Sequence, residues 1–113
     1  MTKSHVALEG IRVLDVTQVM AGPFCAMMLA DLGANVVKVE PPAGDSTRQM
    51  PAAVGTDSPA FNAVNRGKRS IVLNLKAAQG RDVFARRATR GSSMRRSPDT
   101  GRPGHSAARV ASI

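Results

Sequence analysis

The fold is decided by residues 11–40, which read IRVLDVTQVMAGPFCAMMLADLGANVVKVE. The alternating, β-branched start of this stretch, residues 11–16, predicts a strand. Gly22 and Pro23 then mark the start of a helix, because proline is favoured at the first helical position. A second short strand is predicted at residues 35–40, where two prolines end it. A strand, a helix and a strand in this order form a βαβ unit, so we predict an α/β fold with a parallel sheet.

The predicted helix carries one apolar stripe, which we expect to face the core: Phe24, Met28 and Leu32, with Met27 beside them. Gly33 follows at the position where a glycine commonly ends a helix. Cys25 lies in the same helix without a histidine or cationic partner nearby, so we interpret it as a buried structural thiol. It is the only cysteine of the chain, which excludes an internal disulfide and favours a cytoplasmic location.

The remaining elements of the first 88 residues continue the α/β pattern. Residues 43–59 are rich in turn-forming residue types and predict a loop, and residues 59–64 predict a short helix. Residues 65–69 form a basic turn, residues 70–75 a third strand, and residues 77–88 a further helix. The sequence has no G-x-G-x-x-G motif, no cluster of metal-ligand residue types and no apolar run long enough for a membrane span.

The positive charge of the chain is concentrated near its end. A net charge of +8 would ordinarily indicate nucleic acid or an anionic surface as a partner. Residues 81–113 hold eight arginines and two acidic residues, whereas residues 1–80 hold eight basic and six acidic residues. The apolar periodicity also stops at residue 89, so we expect residues 89–113 to be a disordered, arginine-rich tail without a selected binding role.

Five motifs in order resemble the N-terminus of the family III CoA-transferases, the CaiB/BaiF family that includes formyl-CoA transferase and α-methylacyl-CoA racemase. They are LEGIRVLDVT at 8–17, AGPFCA at 21–26, LADLGANVVKVE at 29–40, GDSTR at 44–48 and NRGKRSI at 65–71. No single motif is decisive, but their order over about eighty residues makes the resemblance specific. It implies that residues 1–88 are the N-terminal part of a CoA-transferase domain, with a partial Rossmann-like sheet.

The resemblance also implies an activity and its partners. Members of the family move CoA between an acyl-CoA and a carboxylic acid, work as interlocked homodimers and need no metal. An aspartate attacks the thioester, which splits one difficult exchange into easier covalent steps. No aspartate of this chain matches that nucleophile, so we assign no catalytic residue and expect the 113-residue chain to be inactive by itself.

The family's CoA-contacting positions transfer to eight residues of this chain. They are Gln18, Val19, Met20 and Ala21 after the first strand, Lys68 and Arg69 in the basic turn, and Leu73 and Lys76 near the adenine nucleotide. Cations suit this ligand because its phosphates are anionic acceptors. Gln18 and Met20 depart from formyl-CoA transferase, which has histidine and glutamine there, and this argues against oxalate and formate as substrates.

Three alternatives stay open at this stage. A racemase of the same family would use acid–base chemistry at the α-carbon of an acyl-CoA. A small basic protein could instead bind nucleic acid through the arginine-rich tail, by phosphate contacts alone. A third hypothesis concerns the tail itself: a change of reading frame near residues 88–90 would explain the abrupt loss of the family pattern.

Overall fold

The computed structural model describes residues 5–50 and 58–89, together with the backbone of residues 110–112. Three strands form a parallel sheet: β1 (Arg12–Asp15), β2 (Asn35–Glu40) and β3 (Arg69–Val72). The helices are α1 (Ala21–Asp31), α2 (Pro59–Asn65) and α3 (Ala78–Thr89), with a 3₁₀ helix at Ser46–Gln49. The predicted α/β fold with a parallel βαβ sheet is confirmed.

The strands lie side by side in chain order, β1-β2-β3, and β1 lies at the edge of the strands described. Asp15 of β1 pairs in register with Lys38 of β2, which pairs in turn with Ser70 of β3. These three side chains therefore point to the same face of the sheet. The same face carries α1 and α2, as two right-handed crossovers in one direction require.

The core consists of two apolar clusters, one on each face of the sheet. On the α1 face, Val36 packs with Ala26 and Ala34. On the opposite face, Val83 and Phe84 of α3 pack against four buried side chains of β2 and β3 and the residue after β3: Val37, Val39, Ile71 and Leu73. Because helices cover both faces, β2 is buried along almost its whole length, as a central parallel strand should be.

Helix α1 ends where the sequence predicts. Gly33 has a φ of 97°, the left-handed conformation that glycine adopts at little cost. Its N–H donates to the carbonyl of Ala30 at 2.9 Å, and the N–H of Ala34 donates to the carbonyl of Leu29 at 3.0 Å. This pair of hydrogen bonds is a Schellman motif, which satisfies carbonyls that the helix end would otherwise leave unpaired.

The prediction for the apolar stripe of α1 is wrong for Phe24, Met28 and Leu32 and confirmed for Met27, which is 3% exposed. Phe24, Met28 and Leu32 are 49%, 50% and 47% exposed, and Cys25 is exposed as well. The helix instead buries smaller or offset side chains against the sheet and α2: Pro23, Ala26 and Met27. Close packing of a crossover helix favours small residues on its inner face, so the larger stripe points outward, and no described residue covers it fully.

Two further boundaries differ from the predictions. Strand β3 ends at Val72, so Leu75 is 39% exposed and does not continue its buried face. Thr89 closes α3, and a short strand β4 (Val110–Ser112) pairs antiparallel with β3 inside the region expected to be disordered. Strand pairing uses backbone groups and needs no apolar periodicity, which explains why the pattern missed it. Residues 90–109 and 113 lie outside the described residues, so their expected disorder stays a prediction.

Candidate functional site

The turn between β1 and α1 contains four of the predicted CoA-contacting residues. Gln18, Val19, Met20 and Ala21 are all exposed. Val19 has a φ of 73°, a left-handed conformation that is unfavourable for a β-branched side chain. The turn also follows the carboxyl end of a parallel strand, where open α/β sheets bind their ligands. An exposed, strained turn at this edge is the best candidate for a binding site in the chain.

A buried lysine fixes the two ends of this turn from below. Lys68, which is only 1% exposed, places Nζ 2.8 Å from Oδ2 of Asp15, the last residue of β1. The same ammonium donates to the carbonyl of Pro23 in α1 and to Oδ1 of Asn65 in α2, both at 2.8 Å. An ammonium has three donors, and here all three are occupied. Lys68 therefore has no donor left for a CoA phosphate.

A second buried lysine holds the first residue of the turn. Lys38 Nζ donates to the carbonyl of Thr17 at 2.9 Å, while the N–H of Thr17 donates to Oδ1 of Asp15 at 2.9 Å and its hydroxyl donates to the same oxygen. Lys38 Nζ also lies 2.8 Å from Oδ2 of Asp45, an ion pair rather than a well-directed hydrogen bond. Oδ1 of Asp45 accepts from the N–H and the hydroxyl of Thr47, at 2.8 and 2.6 Å.

These contacts set the charge states of the buried groups. Burial alone would raise the pKa of Asp15, but hydrogen bonds from Lys68 and Thr17 hold that pKa below its ordinary value of 3.8. Burial alone would also raise the pKa of Asp45, but the ammonium of Lys38 and the hydrogen bonds from Thr47 hold that pKa below 3.8. Burial lowers the pKa of Lys68 from 10.5, and the adjacent carboxylate offsets only part of that effect. Both carboxyls are thus ionised at neutral pH.

The segment after β2 is tied down by a third charged pair. Arg48 donates from Nε to both carboxylate oxygens of Glu40, at 2.9 and 3.1 Å. Its guanidinium also lies over the ring of Phe61 in α2, 3.7 Å from the centroid. A cation stacked on an aromatic face and bonded to a carboxylate is held in one orientation. The loop that carries Asp45 therefore has a fixed path beside the turn.

The structure separates the eight predicted CoA-contacting residues into three groups. Residues 18–21 and Lys76 are exposed and follow the carboxyl ends of β1 and β3, which lie at the same edge of the sheet. Arg69 begins β3 at the opposite edge, where its guanidinium donates to Oδ1 of Asn35 at 2.7 Å. Leu73 and Lys68 are buried, each 1% exposed. Arg69 is exposed as well but lies at the amino edge, so residues 18–21 and Lys76 are the exposed ones that share the carboxyl edge.

Sequence reasoning missed the residues beneath the turn: Asp15, Thr17, Lys38 and Asp45. One signal was available in the sequence, since Lys38 interrupts the apolar run of a strand expected to be central and parallel. Such a strand is buried on both faces, so a lysine within it requires a buried anionic partner. The identity of that partner depends on the tertiary fold, which the local pattern does not specify.

Residues 5–50 and 58–89 contain no candidate metal centre and no candidate membrane span. No group of three or more His, Cys, Asp or Glu side chains there is arranged to hold a metal ion. None of the helices described is long and apolar enough to cross a bilayer.

A parallel α/β sheet with an exposed turn at the carboxyl end of its first strand is typical of α/β domains that bind ligands at this edge. Residues 8–89 match the family described as CoA-transferase family III. The chain belongs to this family.

Curated relatives and solved structures agree with this assignment. Succinyl-CoA:mesaconate CoA-transferase of Haloarcula marismortui is 54% identical over 83 residues, covering 69% of this chain and 21% of that protein. Succinyl-CoA:glutarate CoA-transferase of Homo sapiens is 55% identical over 75 residues, 65% of this chain and 17% of the relative. A CAIB/BAIF family protein from Brucella suis superposes with a TM-score of 0.67 at 37% identity, covering 73% of this chain and 23% of that structure. The chain thus spans about a fifth of the length of these relatives.

Proposed function

We propose that this chain is the N-terminal part of a CoA-transferase that moves CoA from an acyl-CoA to a carboxylic acid, and that the turn at residues 18–21 contacts the CoA thioester. The exposed, strained turn at the carboxyl edge, in a chain of CoA-transferase family III, carries the proposal. The proposal includes a cytoplasmic location and a homodimer.

The exposed side chains of the carboxyl edge suit different parts of CoA. Val19 and Met20 offer apolar surface for the pantetheine arm or the acyl chain, and the Gln18 amide can donate to or accept from its polar groups. Lys76, exposed after β3, supplies a cation for a phosphate. Buried Leu73 and Lys68 support the sheet beneath these residues, and Arg69 lies at the other edge.

The acceptor in this proposal is a dicarboxylic acid. The two curated relatives reported above are named for succinyl-CoA with mesaconate or with glutarate, which are dicarboxylates. Both names describe a CoA transfer, which supports transfer over racemisation in this proposal. Residues 1–80 carry nearly balanced charge, so nucleic-acid binding has less support than either reaction on acyl-CoA.

Isothermal titration of the 113-residue chain with CoA tests the proposal. We expect CoA to bind and succinyl-CoA with glutarate to show no turnover, because no aspartate here matches the family's nucleophile. Lys76→Met should weaken CoA binding about tenfold through loss of a charge-assisted hydrogen bond. Arg12→Met, which removes an exposed cation at the amino end of β1, is the matched control and should change nothing. If the chain does not bind CoA at millimolar concentrations of CoA, the proposal is wrong.

A further inference from the structure

The turn at residues 17–21 is held by charged groups that never reach the surface. Lys38 comes from the middle of β2 and Lys68 from the residue before β3, yet both ammonium groups end beneath this turn. Lys38 binds the carbonyl of Thr17, where the turn begins, and Lys68 binds the carbonyl of Pro23, just beyond its end. Asp15 joins the two sets of contacts, since it accepts from Lys68 and from Thr17.

We infer that Lys38 and Lys68 are positioning residues that hold the turn at residues 17–21 in its binding shape, acting through Thr17, Asp15 and Pro23. One consequence of this inference, that the held turn binds CoA more tightly, rests on the proposed function. The clamp itself, meaning Lys38, Lys68, Asp15 and Thr17 together, is a property of the fold alone.

Close packing between Gly22 and Thr17 also restricts the clamp, on the side of α1. A Cβ added to Gly22, in the first turn of α1, would overlap the side chain of Thr17. Glycine at this position therefore lets α1 approach Thr17 closely enough for its hydroxyl to stay on Asp15. Thr17 is thus fixed by its amide, its hydroxyl, its carbonyl and the helix beside it.

Fixation at both ends of the turn accounts for the strain at Val19. A left-handed β-branched residue persists only where its surroundings over-determine the backbone. With Thr17 and Pro23 both anchored, a short stretch of chain must bridge two fixed points. Releasing one anchor lets Val19 return to an ordinary conformation and lets the turn lose its binding shape.

Hydrogen-exchange mass spectrometry of a peptide covering residues 16–24 tests the clamp in the intact chain. Lys38→Met should speed exchange of this peptide at least about tenfold, because it removes the hydrogen bond to the carbonyl of Thr17 and also leaves the buried carboxylate of Asp45 without its ion-pair partner. The control is Arg66→Met, which breaks an exposed ion pair with Asp31 and should leave the peptide unchanged. If the peptide exchanges in Lys38→Met at the same rate as in the wild type, the inference is overturned.

Milder variants keep the test decisive if Lys38→Met does not fold. Thr17→Val removes only the hydroxyl contact with Asp15 and should speed exchange, whereas Thr17→Ser keeps the hydroxyl and should restore protection. Gly22→Ala acts on the same residue by overlap and should have the same local effect. If neither Thr17→Val nor Gly22→Ala alters the peptide, the clamp does not hold the turn.

CoA titration of the same variants separates the inference from the proposed function. If the wild-type chain binds CoA, Thr17→Val should bind it about tenfold more weakly and Thr17→Ser normally. Equal binding by Thr17→Val and wild type would overturn the positioning role. If the wild type binds no CoA but exchange rises as expected, the clamp stands and the proposed function fails.

Discussion

The buried carboxylates Asp15 and Asp45 make the stability of the fold depend on pH. Both have a folded-state pKa below the unfolded value of 3.8, so their stabilising contribution is present above about pH 4 and is lost as pH falls through the folded values. We expect the free energy of unfolding to be flat from pH 5 to 8 and to drop below pH 4. The drop should exceed that caused by an exposed carboxylate, because both groups are buried and paired in the folded state.

Urea denaturation across this pH range measures the effect, with Asp31→Asn as the control. Asp31 pairs with Arg66 at 2.8 Å on the surface, where solvent screens the interaction, so its removal should hardly change the curve. Lys68 does not contribute to the loss of stability below pH 4, because its lowered pKa affects the free energy of unfolding only at alkaline pH, toward 10.5. Stability that stays constant down to pH 3 would contradict the buried ion pairs.

The role of Lys68 shows why part of the site escapes sequence reasoning. A lysine in an Asn-Arg-Gly-Lys-Arg turn has the composition of a solvated, phosphate-binding loop. Its actual partner, Asp15, lies 53 positions earlier and is brought near only when β1 and β3 join the same sheet. Local pattern fixes which residues are charged, and tertiary pairing decides whether a charge faces a ligand or a buried carboxylate.

At the scale of elements, the docking of α3 depends on one small residue. A Cβ on Gly80 would overlap the backbone carbonyl of Asn74, which cannot move as a flexible side chain could. Gly80→Ala should therefore destabilise the fold by about 1–3 kcal/mol, the usual cost of overpacking. Without the overlap, alanine would stabilise the helix by about 1 kcal/mol. The midpoint of urea denaturation shows whether Gly80→Ala destabilises or stabilises the fold.

Gln79→Ala is the matched control for α3. Gln79 is exposed in the same helical turn, and its helix propensity is close to that of alanine, so the midpoint should stay within error. An unchanged or raised midpoint for Gly80→Ala would show that α3 does not pack against Asn74 as described.

In helix α1 the apolar pattern of the sequence predicts the position of the helix but not which face is buried. The pattern correctly located the helix, its proline start and its glycine end, because these signals are local. It correctly assigned Met27 to the core but also assigned Phe24 and Met28, which point outward, and it missed Ala26, which packs inward. A stripe of large apolar residues indicates that a surface is meant to be covered, and the pattern cannot say by which part of a protein.

For the whole molecule, the uncovered stripe predicts association. Phe24, Met28 and Leu32 form a row of half-exposed apolar side chains on a chain that spans about a fifth of its relatives. We expect the isolated chain to self-associate or to be poorly soluble, as contiguous exposed apolar surface usually causes. Size-exclusion chromatography with light scattering and a thermal melt measure this.

The double variant Phe24→Glu, Met28→Glu should shift the population toward monomer without loss of helical signal, because both side chains point away from the core. The control is Arg86→Glu on α3, which adds negative charge away from the stripe and should leave association unchanged. A wild-type chain that stays monomeric and melts sharply would refute the prediction.

The overall architecture was predictable because its determinants repeat over short distances. Three apolar strands separated by helical segments specify a parallel sheet, and right-handed crossovers then limit the strand order. The short strand β4 was not predictable, since it comes from a stretch without apolar periodicity and pairs through its backbone.

The order β1-β2-β3 has a consequence for how the chain forms during synthesis. Each strand pairs with the strand made immediately before it, after the emergence of one crossover from the ribosome. During translation the N-terminal region of a chain is available to fold first, and segments that are neighbours in sequence emerge close together in time. The turn after β1 can therefore reach its final shape only once β3 has brought Lys68 beneath it, which makes the emergence of residue 68 the step that commits the nascent chain to this site.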